Sequence, residues 1–181
     1  MSAEELRILS IDHRMPLIDL ATELRQPLER LAHFKSLVVD AALRVSKGAG
    51  GFGVFMDGGY GAAALAKARR AGLWAARPID KPHARPLEFE GDDLDRNLAE
   101  WPDGVVVKCA VYLHPGDSSD ILFGADRALA KLYAACARYK RQLLLEVLAS
   151  PHGAVDEDTI ADLMTRFYRL GVRPLWWLIE D

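Results

Sequence analysis

The stretch Gly104-Val105-Val106-Val107-Lys108-Cys109-Ala110-Val111-Tyr112-Leu113-His114-Pro115-Gly116-Asp117 decides the fold. Residues 105–113 form a nearly unbroken apolar run rich in β-branched side chains, the pattern of a strand buried on both faces in a parallel sheet. One charge interrupts it, Lys108. An ammonium held out of water needs a partner or a task, because desolvation is costly. The run breaks at His114-Pro115-Gly116-Asp117, and a helical pattern follows over residues 119–139. Lys108 is therefore expected on a strand whose carboxyl end leads into a helix, and in parallel α/β proteins ligands bind at that end.

The same alternation extends in both directions. Strands are predicted over residues 6–11, 52–56, 73–77, 142–148 and 175–179, with helical patterns between them. Pro27 fits the first turn of a second helix within residues 17–46. Gly72 fits a helix C-cap, and Asp156 a helix N-cap. Residues 80–103 read as a proline- and charge-rich insertion, with an extended piece at 85–90 and a short helix near 93–99. Repeated β/α units build either a doubly wound sheet or a (β/α) barrel. The chain contains neither GxGxxG nor GxxxxGK[ST]. Polar residues on several different strands suit a TIM-barrel-like fold, where strand ends supply the site. Only six β/α units are visible, against eight and typically ~250 residues for a barrel. The reading is one truncated barrel-like domain over residues 1–181, with open first and last strands that a homo-oligomer would cover.

The net charge of −3 gives no reason to expect nucleic acid or a membrane as partner. Residues 1–9 lack a leader's basic start and apolar core, and no apolar stretch approaches the ~18 residues of a span. Cys109 and Cys136 are expected as buried free thiols, which suits a cytoplasmic protein. No HExxH, CxxC or GxSxG pattern is present, and no metal is expected.

The candidate chemistry lies at strand ends. If the Lys108 and Glu146 strands are neighbours, the pair offers either proton transfer and carbonyl activation or a buried ion pair, and the residues leave both open. Asp12, which ends the first strand, adds a third charge and tips the balance towards a site. Arg14 could grip a phosphate or carboxylate, or form a surface salt bridge. Asp57 and Arg77 end the second and third strands and could join the site or pair with each other. His114 begins a loop that its own Pro115 explains. His13 reads as a loop or core residue, and Trp176-Trp177 as packing.

Several motifs recur in order along nearly the whole chain. They are Ser10-Ile11-Asp12-His13-Arg14, Gly72-Leu73-Trp74 with Arg77-Pro78, and Arg85-Pro86-Leu87 with Phe89-Glu90. Trp101-Pro102 then precedes Val106-Val107-Lys108-Cys109, followed by His114-Pro115, Leu144-Leu145-Glu146-Val147 and Trp176-Trp177. The set resembles the aldolase-type domain of myo-inositol catabolism, the DUF2090 family, often fused behind a 5-dehydro-2-deoxygluconokinase. The resemblance implies a TIM barrel related to class I tagatose-bisphosphate aldolases. It implies retro-aldol cleavage of a phosphorylated sugar acid, 2-deoxy-5-keto-gluconate 6-phosphate, to dihydroxyacetone phosphate and malonate semialdehyde. A lysine would form a Schiff base with the substrate ketone, and no cofactor would be needed. Carried over by position, Asp12, Lys108 and Glu146 would be active-site polar groups around that lysine, the catalytic set; Arg14, Asp57, Arg77 and His114, read from their places at strand ends, are the candidates for binding substrate. The family's sixth strand reads Trp-Trp-Lys, with the Schiff-base lysine third. Here that position is Leu178. The alternative is a sugar-phosphate-binding or accessory protein without catalysis.

Overall fold

A computed structural model describes residues 5–180. Residues 1–4, part of the stretch read above for a leader, and residue 181 lie outside them. The described residues fall into two compact units, residues 5–78 with 102–105 and residues 79–101 with 106–180.

The first unit contains β1 (Arg7–Ser10), α1 (Met15–Glu23), α2 (Glu29–Ser46), β2 (Phe52–Phe55), α3 (Ala62–Arg70) and β3 (Trp74–Pro78). Its strands are parallel and in sequence order, with Arg7 beside Phe52 and Gly53 beside Trp74. Gly53 sits where the strands close up: a Cβ there would lie 2.7 Å from the Trp74 carbonyl oxygen and 2.8 Å from Ile8 Cδ1. Helix α2 buries Leu31, Lys35 and Val39, one residue per turn along a single stripe. Helix α3 ends as its sequence suggests, at Ala71, with Gly72 at φ +83° just beyond.

The second unit contains α4 (Leu94–Glu100), β4 (Val106–Tyr112), α5 (Ser119–Arg138), β5 (Leu143–Leu148), α6 (Thr159–Arg169) and β6 (Trp176–Ile179). A single 3-10 turn, Ser150–His152, follows β5. The strands are again parallel and sequential, with Lys108 beside Leu144, Ala110 beside Glu146, and Glu146 beside Leu178. Strands that follow one another in sequence order, each joined to the next through helix, give an α/β fold with TIM-barrel-like repeats.

Side-chain alternation divides the β4–β6 strands into two faces. Val107, Cys109, Val111, Leu145 and Val147 are almost fully buried. Trp177 lies on that face, its ring stacked on Phe167 of α6 at 6.3 Å and its Nε1–H donating to Tyr168 Oη at 3.0 Å. The opposite face carries Lys108, Ala110 and Tyr112, then Leu144, Glu146 and Leu148, then Trp176 and Leu178. Tyr112, Glu146, Leu148, Trp176 and Leu178 are only half-buried there.

The expected extension at 85–90 reduces to one antiparallel bridge, Asp80 to Phe89. Pro82 and Pro86 have no N–H to give a ladder, and His83 takes φ +58°. The short helix is present, and Asp93 caps it by accepting from the N–H groups of Asp95 and Arg96. For α6, Asp156 Oδ1 accepts from the N–H groups of Asp158 and Thr159 and from the Thr159 hydroxyl. Asp156 thus binds the turn just before the helix. Both cysteines are free and buried. Burial pushes the Cys109 thiol well above its ordinary pKa, with the Asp80 charge adding to the effect, and burial pushes Cys136 up to about 12. Both stay protonated and poorly nucleophilic.

Candidate functional site

In the second unit β4 and β5 place Lys108 and Glu146 on the same half-buried face, one rung apart in register. Lys108 Nζ lies 2.6 Å from Glu146 Oε2, with side-chain exposures of 8% and 20%. The lysine is thus withdrawn from water while its carboxylate partner keeps an opening to it. The apolar strands leave the ammonium little choice, because β4 supplies only valine, alanine and cysteine beside it. Leu178 is the β6 neighbour of Glu146. The position at which the resemblance implies a Schiff-base lysine therefore adjoins this pair.

Polar and aromatic residues gather beyond the carboxyl end of β4. Tyr112, on the Lys108 face, lies near two imidazoles, His83 at 4.8 Å and His152 at 6.3 Å between ring centroids. Arg85 forms an ion pair with Asp117, whose other oxygen accepts the His114 N–H at 2.8 Å. Burial raises the Asp117 pKa, but Arg85 and the His114 N–H outweigh it and hold the carboxyl below its ordinary value. His114 has both ring nitrogens engaged. Nδ1 accepts the Gly116 N–H at 3.0 Å, which leaves Nε2 as the donor to the Ala154 carbonyl at 3.0 Å. That arrangement uses His114 to pin two loops together. A Cβ on Gly153 would fall 2.6 Å from its ring, so the close approach needs glycine there. Glu180, past β6, accepts from the N–H groups of Ala149 and Ser150 and from the Ser150 hydroxyl, and so fixes the loop after β5. Asp80 is 2% exposed, and its carboxylate accepts the Ala110 N–H at 2.9 Å, as a strand carbonyl would.

The first unit holds Asp12, Arg14, Asp57 and Arg77. Asp12 follows β1, is 8% exposed and accepts from the Ser10 hydroxyl at 2.8 Å. Arg14 stands at the N-cap of α1, and His13 between them is exposed. Asp57 lies two residues past β2 and is paired with Lys35 from α2, at side-chain exposures of 3% and 1%. Lys35 also donates to the Ile11 carbonyl at 2.8 Å, and Asp57 accepts the Gly61 N–H at 3.2 Å. The lysine therefore ties the carboxyl ends of β1 and β2 to α2. The Arg77 guanidinium lies against Gly58, where a Cβ would come within 2.0 Å of it.

Sequence reasoning singled out the Lys108–Glu146 pair and missed Lys35, His83, Arg85, Tyr112, Asp117 and His152 as polar participants. A signal existed for Lys35, which occupies an apolar position on the α2 stripe. The loop residues meet only through tertiary structure, and no local spacing announces them.

The class of protein so defined is an α/β, TIM-barrel-like chain with a partly buried Lys–Glu pair on the open face of its strands. A family model described as "Uncharacterized protein conserved in bacteria (DUF2090)" matches residues 1–181. The chain belongs to this family. A comparison with curated proteins found no match. Among the described residues no helix is long and apolar enough to cross a membrane, and no group of His, Cys, Asp and Glu could hold a metal ion.

Proposed function

We propose that this protein cleaves a carbon–carbon bond in a phosphorylated sugar acid by imine chemistry, with Lys108 as the nucleophile and Glu146 as its proton partner. The observation that carries the reading is the 2.6 Å contact between them on a half-buried face at the strands' open side. Once its proton has passed to Glu146, the Lys108 amine adds to the substrate ketone; Glu146 then returns the proton to the carbinolamine hydroxyl, which leaves as water, so that an iminium forms and the carboxylate is restored. The carbon–carbon bond then breaks, and its electron pair moves into the iminium to form an enamine. The hydroxyl proton of the departing fragment passes to the Glu146 carboxylate as an aldehyde forms. Protonation of the enamine and addition of water release the second carbonyl product and restore the amine. The family resemblance supplies the substrate, 2-deoxy-5-keto-gluconate 6-phosphate. Its 6-phosphate must come from a kinase reaction, the role the resemblance gives to 5-dehydro-2-deoxygluconokinase.

A second reading is a sugar-phosphate-binding protein without cleavage. It is favoured by Leu178, since leucine cannot form an imine. The two readings separate by assaying release of dihydroxyacetone phosphate from that substrate. Under the first, wild type turns over, Lys108→Met abolishes the reaction, and Glu146→Gln slows it by roughly 10²–10⁴-fold. Substrate binding by calorimetry without turnover in wild type would replace the first reading with the second.

A further inference from the structure

We infer that the carboxyl ends of β4 and β5 carry an oxyanion subsite, formed by Arg85, His83 and His152 around the Tyr112 ring, that takes the phosphate of a phosphate monoester. It does not depend on the preceding proposal. The site is defined by its own geometry.

Three observations converge. The Arg85 Nε and the His152 Nε2 are both buried and have no hydrogen-bond partner in the protein. Buried polar atoms are almost always satisfied, so two such atoms in one loop cluster point to a ligand. Asp117 contacts the guanidinium through Nη2 and leaves Nε without a partner. A guanidinium has five N–H donors, and one contact leaves it capacity for an oxyanion. The Tyr112 ring has His83 and His152 beside it, 4.8 and 6.3 Å away between centroids, and His83 is exposed to solvent. The permanently charged Arg85 disfavours a metal cation in the same place.

Tyr112 lies four residues beyond Lys108 on the same face of β4, about 13 Å along the strand. The free-protein electrostatics agree. Burial, then Arg85, lowers the His152 pKa, with His114 and His83 acting in the same direction and Asp117 against them. A dianion arriving beside His152 reverses this and draws a proton onto the ring.

The test follows the ring resonances of the histidines by 1H–13C NMR while inorganic phosphate, glycerol 3-phosphate or acetate is added. The expected result is that both phosphates shift the His152 and His83 signals, that acetate does not, and that His152→Phe and Arg85→Met each weaken phosphate binding about tenfold or more. Lys108→Met should keep the phosphate response, which separates failure of this subsite from failure of the imine mechanism. Because Arg85→Met also breaks an ion pair, His152→Phe carries the decision if the arginine variant unfolds. Unmoved ring signals, unchanged phosphate affinity in His152→Phe, or an equal response to acetate would each overturn the assignment.

Discussion

Lys35 and Asp57 are almost wholly shut away from water, so neither charge tolerates loss of the other. Asp57→Ala would leave the Lys35 ammonium with the Ile11 carbonyl as its remaining acceptor among the contacts described above. The predicted cost is about 3–5 kcal/mol, read as a lower urea midpoint at unchanged slope. A change below ~1 kcal/mol would mean that the pair is solvated. Lys108 differs, because its partner Glu146 keeps contact with solvent. Its odd position was legible in the sequence, as a single charge in a β-branched run, and so was its pairing with Glu146 once adjacent strands were assumed. Leu178 beside Glu146 offers a second residue-scale test. Leu178→Lys puts an amine on β6 at the position paired with Glu146, and the variant should gain a borohydride-trappable adduct at position 178. If it folds and gains none, the face does not hold a substrate ketone at that rung.

At the scale of elements, the apolar runs and helix punctuation located every strand and helix among the described residues to within a few positions. Hydrophobic periodicity and end signals such as Gly72 are local, so sequence reveals them. The insertion was harder. Residues 85–90 carry β-formers, but their conformation follows contacts made elsewhere, such as the bridge to Asp80 and the closeness of Pro86 to Gly124. A Cβ at Gly124 would fall 2.5 Å from Pro86 Cβ. Gly124→Ala is therefore predicted to lower the thermal midpoint despite its better helix propensity, and a rise would show that the insertion yields freely. Asp93→Ala removes the α4 cap and should cost about 1 kcal/mol. Asp126 and Arg166 form a two-bond pair between α5 and α6, at 2.8 and 2.7 Å. Their spacing in sequence gives no hint of it.

Over the whole molecule, several acidic groups have lowered pKa values: Asp117 and Glu180, where hydrogen bonds outweigh burial, and Asp156, held by Thr159. His152 is lowered by burial and then Arg85. A lowered folded pKa adds stability that is present above the unfolded value and is lost as pH falls through the folded one. For His152 the loss begins near the ordinary value of 6.5, and for the carboxylates near 4.5 to 3.8. The urea midpoint should therefore decline in two stages on acidification, and His152→Phe should remove the upper stage. A midpoint that rises between pH 7 and 5 would contradict this. The same scale limits what sequence can disclose about the site. Fold class and the Lys–Glu pair follow from patterns along single strands. The His83, Arg85, Tyr112 and His152 cluster is assembled from three separate loops and strand ends, and only the folded chain brings it together.

The central claim is that Lys108 forms an imine with a ketone substrate. Its most direct test is borohydride reduction in the presence of dihydroxyacetone phosphate, followed by intact mass and peptide mapping. The account predicts one reduced adduct, located on Lys108 and absent from Lys108→Met. An unmodified chain, at ligand concentrations where calorimetry shows binding, would contradict it and leave a protein that holds sugar phosphates without cleaving them.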